Sequence, residues 1–210
     1  MAAPLPTRRA AGFTLVEVLV ALVIMAILAA MAFRGIDAVV RAKDAALATT
    51  DRTLKLNTGM SQFDYDVSQI VDSHMLPQAV SFDGATLRFA RRTPDGVQLV
   101  LWTLQDRRWQ RWASGSFIHV SELTDAWMRT QQWDAISGNA VAVLDNVDSF
   151  QVYLCNPQAV GVVGCSWNNV QSAQGAAGAA SAVGAQANAI RISLKVPEGE
   201  IQREKELPRW

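Results

Sequence analysis

A single acid inside an otherwise apolar stretch limits what this chain can fold into. Gly12-Phe13-Thr14-Leu15-Val16-Glu17 opens a segment that stays apolar through Phe33. A carboxylate at the centre of an inserted helix costs about 2.5–3.5 kcal/mol on translocon scales, so an intramembrane acid usually has a partner and a task. The segment from Phe13 to Phe33 has 21 residues; at about 1.5 Å per residue it spans roughly 30 Å, the thickness of a bilayer core. An ordinary secretory signal has a shorter apolar core and a small-residue cleavage site at its far end. Here Arg8-Arg9 and the Gly12-Phe13 junction both precede the apolar run, so cleavage at that junction keeps the helix. A twin-arginine export signal also uses an arginine pair, but Arg8-Arg9 fits better as the positive-inside anchor of a cytoplasmic leader.

Basic leader, glycine–aromatic junction and acid, at this spacing, resemble the type IV pilin signal. The resemblance implies that a dedicated prepilin peptidase cuts after Gly12 on the cytoplasmic side and that Phe13 becomes the methylated first residue. Glu17 is then the fifth-position acid, which in the family pairs with the N-terminal amine of an adjacent subunit during assembly. Physically this is reasonable, because a buried carboxylate facing an ammonium recovers much of its desolvation penalty. The bland alternative is that Glu17 snorkels to the headgroups.

Residues 1–12 and 13–33 are thus a cleaved leader and a transmembrane helix, leaving 177 residues for the rest, within the usual range of a single domain. Basic and acidic residues balance at 19 each, so net charge recommends no nucleic-acid partner. Cys155 and Cys165 flank a loop-like stretch with Asn156-Pro157, Gly161 and Gly164. A metal site needs more ligands than this region offers. A disulfide is the better reading, given a head placed in an oxidising compartment.

Beyond the membrane, Leu47, Leu54, Leu56, Met60, Phe63, Val67, Ile70 and Val71 recur mostly near helical spacing. They predict an amphipathic continuation over 34–76, ending near Met75 ahead of Pro77. Gly35 and Gly59 would bend it or be tolerated. The head, 77–210, reads as mostly antiparallel sheet. Val80 and Phe82, then Leu87, Phe89 and Arg91, alternate around Asp83-Gly84, and Val97 to Thr103 follow Asp95-Gly96; both dipeptides are hairpin signals. Strand character continues from Arg107 to Trp112. A helical stretch between Ser121 and Trp133 puts Leu123, Trp127 and Met128 on one face, with Ser121 as N-cap. Further strands are expected at 147–154, 189–196 and 200–207. The Ala/Gly-rich stretch 171–188 reads as a mobile loop. The fold class is α+β, a long N-terminal helix packed on an antiparallel head.

The body of the chain resembles a minor pseudopilin of type II secretion, J type. The resemblance rests on Phe33-Arg34-Gly35-Ile36-Asp37, Leu87-Arg88-Phe89 with Arg91-Arg92, Leu101-Trp102-Thr103-Leu104 before Trp109-Gln110-Arg111-Trp112, Ile190-Arg191-Ile192-Ser193-Leu194, and Glu198-Gly199. The cysteine pair and the Ala/Gly-rich loop depart from that pattern as local insertions. It implies a structural subunit at the pseudopilus tip, partnered by I-type and K-type minor pseudopilins and the major pseudopilin, with secreted cargo as a further contact. The anchor would lie in the bacterial inner membrane and the head in the periplasm. The nearer alternative is a minor pilin of a type IV pilus or DNA-uptake system, which shares the signal.

Trp102, Trp109 and Trp112, interleaved with Arg107, Arg108 and Arg111, could stack a sugar or base. The stronger expectation puts the tryptophans in a core and the arginines in solvent. His74 and His119 lack a surrounding nucleophile or ligand motif, and Asp134, Asp145 and Asp148 are too scattered for a calcium site. No phosphate loop, nucleophile elbow or zinc-spaced histidine pair occurs. We therefore expect no catalysis, cofactor or metal. A membrane-anchored periplasmic enzyme or binding protein is the alternative of another class.

Overall fold

The computed structural model describes residues 12–72, 76–157, 165–170 and 187–208. Contacts divide the chain into two units, Met1–Asp51 and Arg52–Trp210. No proline interrupts the 54-residue helix α1 (Leu15–Ser68). Its most apolar 18-residue window has a mean hydropathy of 2.8 and none of that window is buried. It is long and apolar enough to cross a membrane. Within the first unit, where α1 turns polar, Arg41 and Asp37 form a helical i,i+4 ion pair. The Thr49 and Thr50 hydroxyls donate to the carbonyls of Ala45 and Ala46.

The second unit holds the last part of α1 and two antiparallel sheets. The first has order β1-β2-β3-β4-β5: Val80–Phe82, Thr86–Thr93, Gly96–Gln105, Arg108–Phe117 and Val141–Asp145. The second has order β7-β6-β8-β9: Cys165–Asn169, Ser149–Pro157, Ala189–Val196 and Gly199–Glu206. Tight turns set the register of the first sheet. The Asp83 carboxylate accepts the amides of Ala85 and Thr86 at 2.9 and 2.8 Å, closing the β1–β2 turn. Gly96 opens β3 at φ +133°, where a Cβ would lie 2.3 Å from the Phe117 carbonyl oxygen. Asp106 and Arg107 both take positive φ between β3 and β4, as a two-residue type I′ turn requires.

Strand alternation sends side chains to two cores. Leu87, Phe89, Val100, Trp102 and Trp109 face Met60, Phe63 and Val67 of α1, together with Phe150, Val152, Leu154, Ile190, Ile192 and Leu194 of the second sheet. Each such fully buried side chain is worth about 1.5–3 kcal/mol relative to exposure. Phe63 meets Trp102 edge-on at 5.6 Å, Trp102 lies 4.4 Å from Trp109, and Trp109 lies 6.2 Å from Phe150. Aromatic contacts therefore run from the helix through the first sheet into the second. On the opposite face, Ala90 and Leu99 pack against Leu123, Ala126 and Trp127 of α2 (Val120–Arg129).

Several expectations are corrected. α1 ends at Ser68 rather than near Met75, because Ile70 bridges antiparallel to Arg91 and the Val71 amide donates to Ala90 at 3.0 Å. His74 and Met75 lie outside the described residues. The N-cap of α2 is His119, without a side-chain cap bond, so Ser121 already lies inside the helix. Ala126 replaces Met128 on its buried face, and Met128 is exposed. Two strands were not anticipated. β5 is short and begins exposed, and β7 sits in the stretch read as a loop around the cysteines. Of the stretch expected as a mobile loop, 171–186 lies outside the described residues, while Ala187 is buried and the Asn188 amide donates to the Cys155 carbonyl at 2.9 Å. Gly59 is neither a bend nor incidental: a Cβ there would fall 2.2 Å from Val143 Cγ1. Its missing side chain lets α1 close on β5.

Candidate assembly site

The N-terminal end of α1 is built by its own sequence. Thr14 precedes the first helical residue, and its Oγ1 accepts the Glu17 amide at 3.4 Å. The Glu17 carboxylate reaches back to the Thr14 amide and hydroxyl, both at 3.1 Å. This reciprocal arrangement is a capping box, which satisfies amides that a helix N-terminus leaves unpaired. The Thr-x-x-Glu spacing carries that signal in the sequence itself. Glu17 thus has a local task at the helix start that needs no second helix. Gly12 and Phe13 lie just outside the helix and are exposed.

A second concentration of charge lies in the head. Asp66, near the end of α1, is fully buried. Its Oδ1 accepts from Gln62, Arg91 and Arg111 at 2.9, 2.6 and 2.9 Å. Its Oδ2 accepts the Trp102 indole N–H at 3.0 Å and Arg111 Nε at 2.7 Å. Trp102 and Arg111 face each other across β3 and β4, so one cross-strand pair delivers an apolar ring and a guanidinium to the same carboxylate. Arg111 was expected in solvent, as the tryptophans were expected in the core; Trp102 and Trp109 are buried, but Arg111 is held by Asp66. Sequence reasoning missed Asp66 because an acid on an apolar helical face reads as an edge of that face until its partners, distant in sequence, are known. Arg107 does lie largely in solvent, paired with Asp148 at 2.7 Å.

Arg88 is also buried. It donates to the Thr130 carbonyl at the C-terminal end of α2 and pairs with Asp83 at 2.6 Å, a favourable place for a cation because helix carbonyls point there. Burial alone would raise the pKa of Asp83, but the Ala85 and Thr86 amides and the Arg88 guanidinium outweigh it and hold the carboxyl below its ordinary value. Asp64, on another side of α1, is paired with Arg203 of β9. The helix segment is thereby tied by ion pairs to both sheets.

Cys155 and Cys165 form a disulfide with their Cα atoms 5.5 Å apart, joining adjacent strands β6 and β7 of the second sheet. Arg191 stacks 4.0 Å over the ring of Trp167 on β7. His119 lines a shallow cleft with Arg92, Val97, Phe117 and Leu123. Among the described residues, no group of three or more His, Cys, Asp or Glu side chains is placed to hold a metal ion.

Residues 7–33, which contain the capping box and the Gly12-Phe13 junction, match the family described as the prokaryotic N-terminal methylation motif. No curated protein matches the chain. A methylation-type signal leading into a long apolar helix, followed by antiparallel sheets, is a pilin-like layout, and α1, the one such helix among the described residues, is consistent with a single-pass membrane anchor. Such a signal implies prepilin-peptidase processing and assembly with other pilin-like subunits.

Proposed function

We propose that the chain is a minor pseudopilin of the type II protein secretion system, of the J type. It would act at the tip of the pseudopilus with I-type and K-type partners and prime a filament of the major pseudopilin for the export of folded proteins. The observation that carries the reading is the methylation motif at 7–33 on the same chain as a two-sheet head. The J assignment rests further on the order of the short head segments from Leu87-Arg88-Phe89 to Ile190-Arg191-Ile192. Residues from these segments are used structurally: Phe89, Trp102, Trp109 and Ile192 build the main core, and Arg91 and Arg111 grip Asp66. In this reading the peptidase cuts after Gly12 and Phe13 is methylated. Glu17 pairs with the freed amine of a neighbouring subunit. The role is structural, without catalysis, and the head works in the periplasm, where it contacts secreted cargo.

A deletion strain tests it. Loss of protein secretion with twitching and DNA uptake intact is the expected phenotype; the reverse pattern would identify a pilus or DNA-uptake minor pilin instead. Mass spectrometry of the membrane-extracted chain should find an N-terminus at methylated Phe13.

A further inference from the structure

Strand β7 is weakly anchored in the head. Among the described residues it pairs only with β6, in a register that runs from Tyr153↔Asn169 to Pro157↔Cys165. At that last pair Pro157 has no amide hydrogen to give to the ladder. No residue of β7 joins either apolar core; Val170, just past its end, does. Trp167 is half-buried beneath Arg191, which Glu204 of β9 also holds at 2.7 Å. A cation over a partly exposed ring is a weak tie.

The covalent tie sits at the end where the ladder lacks a donor. Cys165 opens β7 opposite Pro157, and its bond to Cys155 closes that end. The chain has only these two cysteines, so a thiol reagent has one target. β6, by contrast, keeps a second neighbour. It pairs with β8 from Ser149↔Lys195 to Cys155↔Ala189, and its Phe150, Val152 and Leu154 belong to the main core. Loss of β7 therefore bares one edge of β6 and leaves that strand in its sheet.

We propose that the Cys155–Cys165 bond is a redox latch on β7. In the oxidised chain β7 covers the edge of β6; in the dithiol chain β7 detaches as a unit, while the rest of both sheets stays folded. The reductant is a dithiol of the thiol–disulfide oxidoreductase class. One of its thiolates attacks Sγ of Cys165, which is half-buried where Cys155 is buried. The S–S bond breaks, and its electron pair leaves on Sγ of Cys155, which takes a proton. The second thiolate of the reductant displaces Cys165 from the mixed disulfide; Cys165 takes a proton, and the reductant departs as its own disulfide, having given two electrons. A disulfide of the same class runs these steps backwards and resets the strand. An open edge is a template for pairing with other chains, so the latch separates a protected head from one that pairs wrongly. It does not rest on the secretion role; the compartment decides only which state prevails.

The test follows amide hydrogen exchange, residue by residue by NMR, on the full-length chain in detergent micelles: oxidised, reduced with excess dithiothreitol, and reoxidised. Reduction is expected to speed exchange of the β7 amides, and of those β6 amides that donate to β7, by about thirtyfold or more. The β6 amides that donate to β8, and the amides of β3, should change by less than about threefold, and reoxidation should restore the slow rates. Cys155→Ser/Cys165→Ser should exchange like the reduced chain with or without dithiothreitol. Unchanged β7 exchange after reduction would overturn the latch, because the ladder alone would then hold the strand. Equal acceleration in β3 and β8 would also overturn it, since the bond would then guard the whole head. A bond that survives excess dithiothreitol in the folded chain would do the same, because no exchange partner would reach it.

Discussion

Asp66 shows how much a single buried carboxylate can organise. Five hydrogen bonds reach it from α1, β2, β3 and β4, so the cost of burying its charge is met by two guanidiniums and an indole. Removing one partner of such a cluster strands the others, typically at about 3–5 kcal/mol. Asp66→Asn should therefore lower the free energy of unfolding by roughly that amount in urea titrations, and a loss below about 1 kcal/mol would mean that Arg91 and Arg111 find other partners. Glu17 permits a cleaner separation of tasks. A glutamine at the third helical position still completes a capping box, whereas alanine does not. Glu17→Gln should thus keep the helix start and lose only the charge. If the carboxylate pairs with a neighbour's amine, both Glu17→Gln and Glu17→Ala will abolish complementation of a deletion strain; full complementation by the glutamine variant alone would assign the residue to capping.

At the scale of elements, the helix and strand β5 meet where neither could tolerate more bulk. Alanine is a better helix former than glycine by about 1 kcal/mol, yet Gly59→Ala should destabilise the molecule, because overpacking costs about 1–3 kcal/mol and Val143 stands in the way. A rise in the thermal midpoint would show that Val143 yields freely. The β6–β7 pair makes a different case. A disulfide closing a sequence separation of 10 contributes about 2–3 kcal/mol in the chain-entropy account. The double variant Cys155→Ser/Cys165→Ser should lose about that much stability, with exchange rising first in β7, which among the described residues pairs only with β6. Uniform acceleration across both sheets would instead point to a global role. Local signals explain which elements were legible in the sequence. Asp83-Gly84 and Asp95-Gly96 sit where the turns occur, and Val80, Phe82, Leu87 and Phe89 alternate as strand residues should. β5 and β7 escaped notice because they are five residues each and neither alternates cleanly. Ile70 and Val71 kept helical spacing while the Gln69 carbonyl and the Val71 amide bonded to β2. Tertiary hydrogen bonding, invisible to periodicity, decided that boundary.

For the molecule as a whole, stability should depend on acid in a defined direction. Asp83 has a folded pKa below its ordinary value of 3.8, so the unfolded chain binds its proton more readily. Its contribution is complete above that value and is lost as pH falls through the lower folded pKa. Asp83→Asn should make the stability curve shallower between about pH 5 and pH 2; an unchanged slope would place the acid sensitivity elsewhere. The candidate site was only half legible at this scale. Gly12, Phe13 and Glu17 were readable because their spacing is local, while Asp66 with Arg91 and Arg111 required the folded arrangement of three distant segments. The paired carboxylates of the helix also carry a mechanical meaning. Asp64 is clasped by Arg203 of one sheet and Asp66 by Arg91 and Arg111 of the other. A tug on the helical segment from Arg52 onward is thus shared between two ionic rivets, and the head resists being peeled away one layer at a time.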